Sequence, residues 1–334
     1  MNSSFISKDD MKKILARLIE ADDIELYAPV KNGKTLDFAI VTDIGNIVAS
    51  DEIPYKSPKE AFMPQVENLM TFKEGSVIES AYNKRPIVFG AKPCDIEALR
   101  VLHAVLTKGK YQDPFFQRRF DAGVLISLGC ASEKPGCFCA ERGFDKTFSD
   151  FTDIMLNEGE DEGGYAVVHL SDKGKELLAE FAEGQGFEAA FWPPKQESKG
   201  KKKLELDKDS DETKLFDAID WAKATEICQG CGMCTFICPS CHCFDMEDAT
   251  ANGETKRYRC WDSCMYPKFT LHASGHNPRA AIKDRFRQRV LHKYLYINQN
   301  FGYTACTGCG RCIRSCPVGM DIKKVVESIM EVQP

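Results

Sequence analysis

The sequence predicts an α/β domain over residues 1–190, a charged linker over residues 191–214 and a mainly α-helical, cysteine-rich domain over residues 215–334. Three observations predict this. Short β-rich runs alternate with helical patterns in the first half, the composition becomes almost wholly charged or polar after Pro193 and Pro194, and one four-cysteine run occurs twice beyond Leu215. A chain of 334 residues is long enough for two or three separate cores.

In the first half, Phe38 to Thr42, Ile87 to Gly90 and Val124 to Leu128 read as strands. Asp95 to Leu106 is the clearest helix: Ile96, Leu99, Leu102, Val105 and Leu106 fall on one face and Asp95 can serve as the N-cap. Residues 151–190 add a strand at Tyr165 to Leu170 and a helix around Lys173 to Glu183. Lys195 to Lys214 reads as solvated linker, with docking through Lys201 to Lys203 as the functional alternative. Gly184-Gln185-Gly186-Phe187-Glu188-Ala189 has the outline of a dinucleotide fingerprint, but it follows a helix instead of a strand and is set aside.

Hydrophobic content of 43%, charged content of 28% and a formal net charge of -6 describe a soluble globular protein and argue against a nucleic-acid binder. A basic partner surface suits it better. The opening residues lack a secretory pattern and no stretch of 18 apolar residues occurs, so the expectation is a cytoplasmic protein without direct membrane insertion. Sixteen cysteines among reduced thiols then point to metal or redox chemistry instead of disulfides.

The internal repeat carries the strongest signal. Cys228-x2-Cys231-x2-Cys234-x3-Cys238-Pro239 recurs as Cys306-x2-Cys309-x2-Cys312-x3-Cys316-Pro317. Thiolates at i, i+3 and i+6 in a reversing loop reach three corners of one cubane, and the proline-flanked fourth is carried to the other cluster. This assigns Cys228, Cys231, Cys234 and Cys316 to one [4Fe-4S] cluster and Cys306, Cys309, Cys312 and Cys238 to a second. Gly232 and Gly310 stand where the backbone turns without room for a Cβ, and Pro239 and Pro317 set the exit direction. Paired zinc knuckles are the competing reading. Between the runs, Ile282, Phe286, Val290 and Tyr294 recur at four-residue steps, with Leu291 and Leu295 beside them. This predicts an amphipathic helix over residues 279–297 and favours a helical ferredoxin-type domain over the β-hairpin type.

A second set of thiols lies in the first half. Cys94 and Cys130 each follow a predicted strand, and if those strands are parallel neighbours both thiols lie at the edge where open α/β sheets place ligands. Cys137 and Cys139 follow in a loop able to fold over that edge, and the N-terminus of the helix near Asp95 favours thiolates. A third [4Fe-4S] cluster on Cys94, Cys130, Cys137 and Cys139 is the expectation, against a zinc site or ordinary buried thiols. Cys241, Cys243, Cys260 and Cys264 remain, for a fourth cluster, a redox-active thiol pair or packing around the first two clusters.

Ser57-Pro58-Lys59-Glu60, Lys92-Pro93-Cys94-Asp95, Cys137-Phe138-Cys139, Cys238-Pro239-Ser240-Cys241-His242-Cys243-Phe244-Asp245, Trp261-Asp262-Ser263-Cys264 and Gly275-His276-Asn277-Pro278-Arg279 resemble one family, the 4Fe-4S dicluster electron-transfer subunits. Its nearest branches are the beta subunits of cytosolic sulfhydrogenases and the iron-sulfur A-type subunits of anaerobic sulfite reductases, with similar subunits in heterodisulfide-reductase-like complexes. The resemblance runs from about residue 50 to residue 318, the linker apart. It implies a carrier of anaerobic metabolism beside a flavin subunit that exchanges electrons with NAD(P)H, and a role for Cys94, Cys130, Cys137 and Cys139. It also makes Cys241, Cys243 and Cys264 characteristic, while Cys260 stands where other residues are expected.

Arg279, Lys283, Arg285, Arg287, Arg289, His292 and Lys293 crowd one segment, as a solvated face, as charges that raise cluster potential, or as a dock for an acidic partner. His103 and His169 read as core or surface residues. No P-loop and no nucleophile-base pair occurs, so no catalytic residue is assigned. The first functional expectation is an iron-sulfur subunit relaying electrons between a partner linked to flavin and NAD(P)H and a catalytic subunit of hydrogenase, sulfite reductase or heterodisulfide reductase type. The alternatives are a disulfide- or sulfur-reducing subunit using Cys241, Cys243, Cys260 and Cys264, and a zinc-stabilised scaffold.

Overall fold

The structure, a computed structural model, describes residues 4–159, 163–182 and 203–332. The run Gly184 to Ala189, Glu183 and residues 191–202 of the predicted linker lie outside the described residues, as do Lys201 and Lys202.

The N-terminal half runs β1 (Ser4–Ser7), α1 (Lys8–Glu20), β2 (Ile24–Asn32), β3 (Thr35–Ile40), β4 (Val66–Lys73), β5 (Ser76–Glu79), β6 (Arg85–Ala91), α2 (Pro93–Thr107), α3 (Pro114–Ala122), β7 (Val124–Leu128), β8 (Ile154–Glu158), β9 (Gly164–His169) and α4 (Asp172–Phe181). Seven of these strands form one sheet in the order β1-β9-β8-β7-β6-β2-β3, with β2, β6, β7 and β8 parallel at its centre. The central strands bury both faces because helices cover both. Ile87 and Phe89 of β6 pack with Leu15 and Leu18 of α1 and Leu177 of α4, while the intervening Val88 packs with Leu99 and Leu102 of α2 and Phe116 of α3. Side chains alternate across a strand, so one apolar run serves two cores.

The expected strands and helices are present with shifted ends. Helix α2 begins at Pro93, two residues before the expected cap, because a proline at the first helical position needs no hydrogen-bond partner for its nitrogen. Asp95 lies in the first turn, where its Oδ2 accepts from Lys92 N at 3.3 Å.

The C-terminal part runs α5 (Glu212–Phe216), α6 (Trp221–Ala224), α7 (Met233–Phe236), β10 (Phe244–Ala251), β11 (Glu254–Trp261), α8 (Ile282–Leu291), a π-helical turn His292–Tyr296, α9 (Ile297–Phe301), α10 (Arg311–Arg314) and α11 (Ile322–Val332). The expected amphipathic helix is there, and Phe286, Val290 and Tyr294 pack with Trp221, Met265 and Val326.

The expectation of a mainly α-helical domain is corrected. The gap between the cysteine runs holds an antiparallel hairpin, β10 against β11, that reverses at Asn252 and Gly253 with φ of 52° and 79°. Those are the left-handed values a tight two-residue hairpin turn requires. Strand β10 is exposed along its whole length, so no buried alternation marks it in the sequence. Strand β11 then pairs with β4, from Cys260 opposite Val66 to Glu254 opposite Lys73, in the four-stranded sheet β10-β11-β4-β5. Residues distant in sequence thus share one sheet, and the junction is buried. Arg259 Nε donates to Glu67 Oε2 at 2.8 Å and its Nη1 reaches Asp113, while Trp261 Nε1 donates to Met63 O at 3.0 Å. No described helix is long and apolar enough to cross a membrane.

Candidate iron-sulfur centres

The first cysteine run begins as helix α6 ends. Asp220 caps that helix, its Oδ1 accepting from Ala222 N at 3.0 Å, and Cys228 N then turns back to Thr225 O at 2.9 Å. Gly232 sits at φ +75° and opens the single turn α7, which carries Cys234 and delivers Cys238 beyond its end. Cys228, Cys231 and Cys234 line one cavity together with Cys316 of the second run. The chain thereby brings the cross-donated set expected from the spacing to one place. Cys312 and Arg289 border the same cavity.

The second run has the same build. Gly310, at φ +71°, caps the single turn α10. Burial pushes the Cys312 thiol up to about 12, opposed by Arg289 and reinforced by Cys306, Cys238 and Cys309. Burial also pushes Cys309 up to about 11, with Cys238 adding to the effect. Cys238 therefore lies within electrostatic reach of Cys309 and Cys312, as the cross-donation scheme expects.

Strands β6 and β7 are parallel neighbours, with Ile87 opposite Val124, so Cys94 and Cys130 emerge at one sheet edge. The loop after β7 folds back over that edge, and Cys94, Cys130, Cys137 and Cys139 line one cavity. Cys309 of the second run lines it too. The loop is tied to that run by backbone: Phe138 N donates to Gly308 O at 2.8 Å, and Arg142 Nε donates to Cys306 O at 3.1 Å. Burial raises Cys94 well above the ordinary thiol range and pushes Cys130 to about 11 and Cys139 to about 12. Buried thiols at such values become thiolates only beside a metal or a cation.

The remaining cysteines divide. The Cys241 thiol hydrogen-bonds that of Cys238, the Cys264 thiol hydrogen-bonds that of Cys243, and Cys241 acts electrostatically on Cys264. Cys260 does not join them. It stands opposite Asp245 in the hairpin, its thiol raised by slight burial and by the charges of Asp245, Glu247 and Asp262.

Buried cations accompany these thiols. Lys92 Nζ donates to Ser50 O at 2.8 Å beside Cys130 and Cys94. Arg289 Nη2 donates to Cys234 O at 3.2 Å, and Lys293 Nζ donates to Ser240 Oγ at 2.9 Å. Arg311 pairs with Asp95. The basic segment is thus not all solvated surface: Arg285, Arg289 and Lys293 are buried. Arg285 Nε donates to Met265 O at 2.9 Å and is no surface dock. The sequence did carry a signal for these positions, because Arg285, Arg289 and Lys293 recur every four residues beside the Phe286, Val290 and Tyr294 stripe.

These surroundings fit iron-sulfur cores. Arg289 Nε is buried without a partner although its residue borders the first cavity, and Tyr294 Oη is likewise unpartnered while facing the Cys306 sulfur. Orphaned donors of this kind suit the sulfide and thiolate acceptors of a cluster. Among the described residues, no three His, Cys, Asp or Glu side chains are gathered on a position for one metal ion, so the thiols are spread as a multi-iron core needs.

Residues 227–320 match the family described as a 4Fe-4S dicluster domain, which implies two [4Fe-4S] clusters. Across its length the chain is similar to the sulfhydrogenase 2 subunit beta of Pyrococcus furiosus, with 30% identity over 319 residues and 92% of each chain covered.

Proposed function

We propose that this chain, which belongs to the family of sulfhydrogenase beta subunits, relays electrons between a partner linked to flavin and NAD(P)H and a catalytic oxidoreductase subunit of hydrogenase, sulfite reductase or heterodisulfide reductase type. It works within a hetero-oligomeric complex. Bound in its cysteine loops, [4Fe-4S] clusters supply the one-electron steps that connect a hydride-carrying flavin to a metal-based acceptor.

In this reading Cys228, Cys231, Cys234 and Cys316 hold one cluster, Cys306, Cys309, Cys312 and Cys238 a second, and Cys94, Cys130, Cys137 and Cys139 a third. The observation that carries the reading is the position of the second run between two other thiol groups: Cys309 opens on the N-terminal cavity and Cys312 on the cavity of the first run. Three electron sites in a row make a relay, whereas one site in isolation makes a store. Arg289 and Lys293, buried beside the thiols, offset the charge of added electrons, and the apolar packing of Phe286 and Val290 keeps water away.

The rival reading, a disulfide- or sulfur-reducing subunit built on four further cysteines, has to work without Cys260, whose thiol faces carboxylates. The test is anaerobic preparation of the full chain with its copurifying partners. The relay predicts brown protein with acid-labile sulfide, bleached by dithionite and, through the flavin partner, by NAD(P)H. Colourless protein with stoichiometric zinc sinks it. Reduction of a disulfide or sulfur compound by the purified chain with an artificial donor supports the rival.

A further inference from the structure

Two buried ammonium groups meet beside the Cys241 to Cys243 segment. Lys59, 3% exposed, donates to Cys241 O at 3.0 Å and lies 4.0 Å from the centroid of the Trp261 ring. Lys293, also 3% exposed, comes from the π-helical turn on the opposite side and donates to Ser240 Oγ. Among the described residues no carboxylate pairs with either, and the anions nearest to both are cysteine sulfurs. Burying an ammonium costs several kcal/mol unless an anion accompanies it. Cys238, engaged with the second run, answers for Lys293. Lys59 arrives from the other half of the chain, and the charge that acts on it most strongly is Cys241.

We propose that Cys241, Cys243 and Cys264 are the protein ligands of a fourth iron-sulfur centre, placed against the cluster of the second run and neutralised by Lys59 and Lys293. The assignment rests on the electron-carrier reading and extends it. Cys260 is not a ligand, because the hairpin register points it at Asp245. Three thiolates leave one iron of a cubane without a cysteine. Cys241 and Cys243 are only partly buried, so that iron is within reach of solvent and takes a small anion of sulfur or oxygen. The centre is thereby the one place in the chain where an outside ligand meets iron.

The test compares wild-type full chain with Cys264→Ser and Cys260→Ser, each reconstituted anaerobically and assayed for iron and acid-labile sulfide. Cys264→Ser is expected to hold about four fewer iron atoms per chain, the content of one cubane, and Cys260→Ser the same as wild type. Mild ferricyanide oxidation of wild type is expected to remove the iron that lacks a cysteine and give a three-iron EPR signal that Cys264→Ser lacks. Lys59→Met keeps every thiol and is expected to retain iron while lowering the midpoint potential of one centre. Undiminished iron in Cys264→Ser, or loss in Cys260→Ser, overturns the assignment, as does an unchanged potential in Lys59→Met. If wild type itself contains no sulfide, the electron-carrier reading has failed instead.

Discussion

Arg311 lays its guanidinium on the Asp95 carboxylate, Nη2 donating to Oδ2 at 3.0 Å with a second contact through Nη1, and both side chains are at most 1% exposed. Asp95 follows Cys94 and Arg311 precedes Cys312. The pair therefore fastens the cysteine edge of the α/β sheet to the second dicluster loop, and Arg311 Nε adds a bond to Pro54 O at 2.7 Å.

Removing one partner of a buried pair leaves the other charge stranded. Arg311→Met is expected to cost about 3–5 kcal/mol of stability. Adding Asp95→Asn should restore part of that loss. Thermal unfolding of the two reconstituted variants checks this, and equal losses would show that the pair is not coupled.

Cross-donation makes an asymmetric prediction. Cys316→Ser, although it lies in the second run, is expected to alter the EPR signal of the centre built on the first, and Cys238→Ser to alter the signal of the centre built on the second. Spectra of each variant against Cys228→Ser and Cys306→Ser assign the signals, and disturbance confined to a variant's own run would contradict the scheme.

Gly310 is at φ +71°, and a Cβ there would come within 2.4 Å of Gly136 O. Gly310→Ala pairs an unfavourable backbone conformation with a clash against backbone that cannot swing aside. The expected cost is about 1–3 kcal/mol for the conformation alone, with the clash in addition. Chemical denaturation measures it. The damage should reach both the second run and the N-terminal cavity, because Gly136 belongs to the loop bearing Cys137.

Burial, the neighbouring His242 ring and the Lys293 and Arg279 cations hold His292 down at about 3 against an ordinary 6.5. The two rings stand 5.5 Å apart, edge to face. Below the ordinary value the unfolded chain binds a proton that the folded chain refuses, so stability is full above pH 6.5 and falls as pH drops toward the folded value. Each pH unit inside that window costs about 1.4 kcal/mol for this one group. His292→Gln is expected to flatten the dependence between pH 6.5 and about 5, a range for which denaturation midpoints are the measurement.

Much of this was legible along the chain. Val124–Leu128 forms the strand its composition announces, and β6 and α2 differ from their expected spans only at the ends. The α8 stripe of Phe286 and Val290 was readable because helical periodicity is a local property. The hairpin of β10 and β11 was not. Its outer strand has no buried face, and β11 depends on β4, which lies far earlier in the sequence. The basic segment was half legible: spacing placed Arg285, Arg289 and Lys293 on one stripe, but a charge run looks the same whether it faces water or thiols.

Spacing alone determined the two repeated thiol loops, because three donors within seven residues and a glycine between them leave the backbone few ways to turn. Which thiols share a cavity was decided only by tertiary structure. The parallel pairing of β6 and β7 gathers Cys94 and Cys130, the hairpin register turns Cys260 outward, and the burial of Lys59 and Lys293 surrounds Cys241 with positive charge. The physical reason is that local geometry follows from torsions of neighbouring residues, whereas burial and charge pairing depend on which distant segments must cover one another to exclude water.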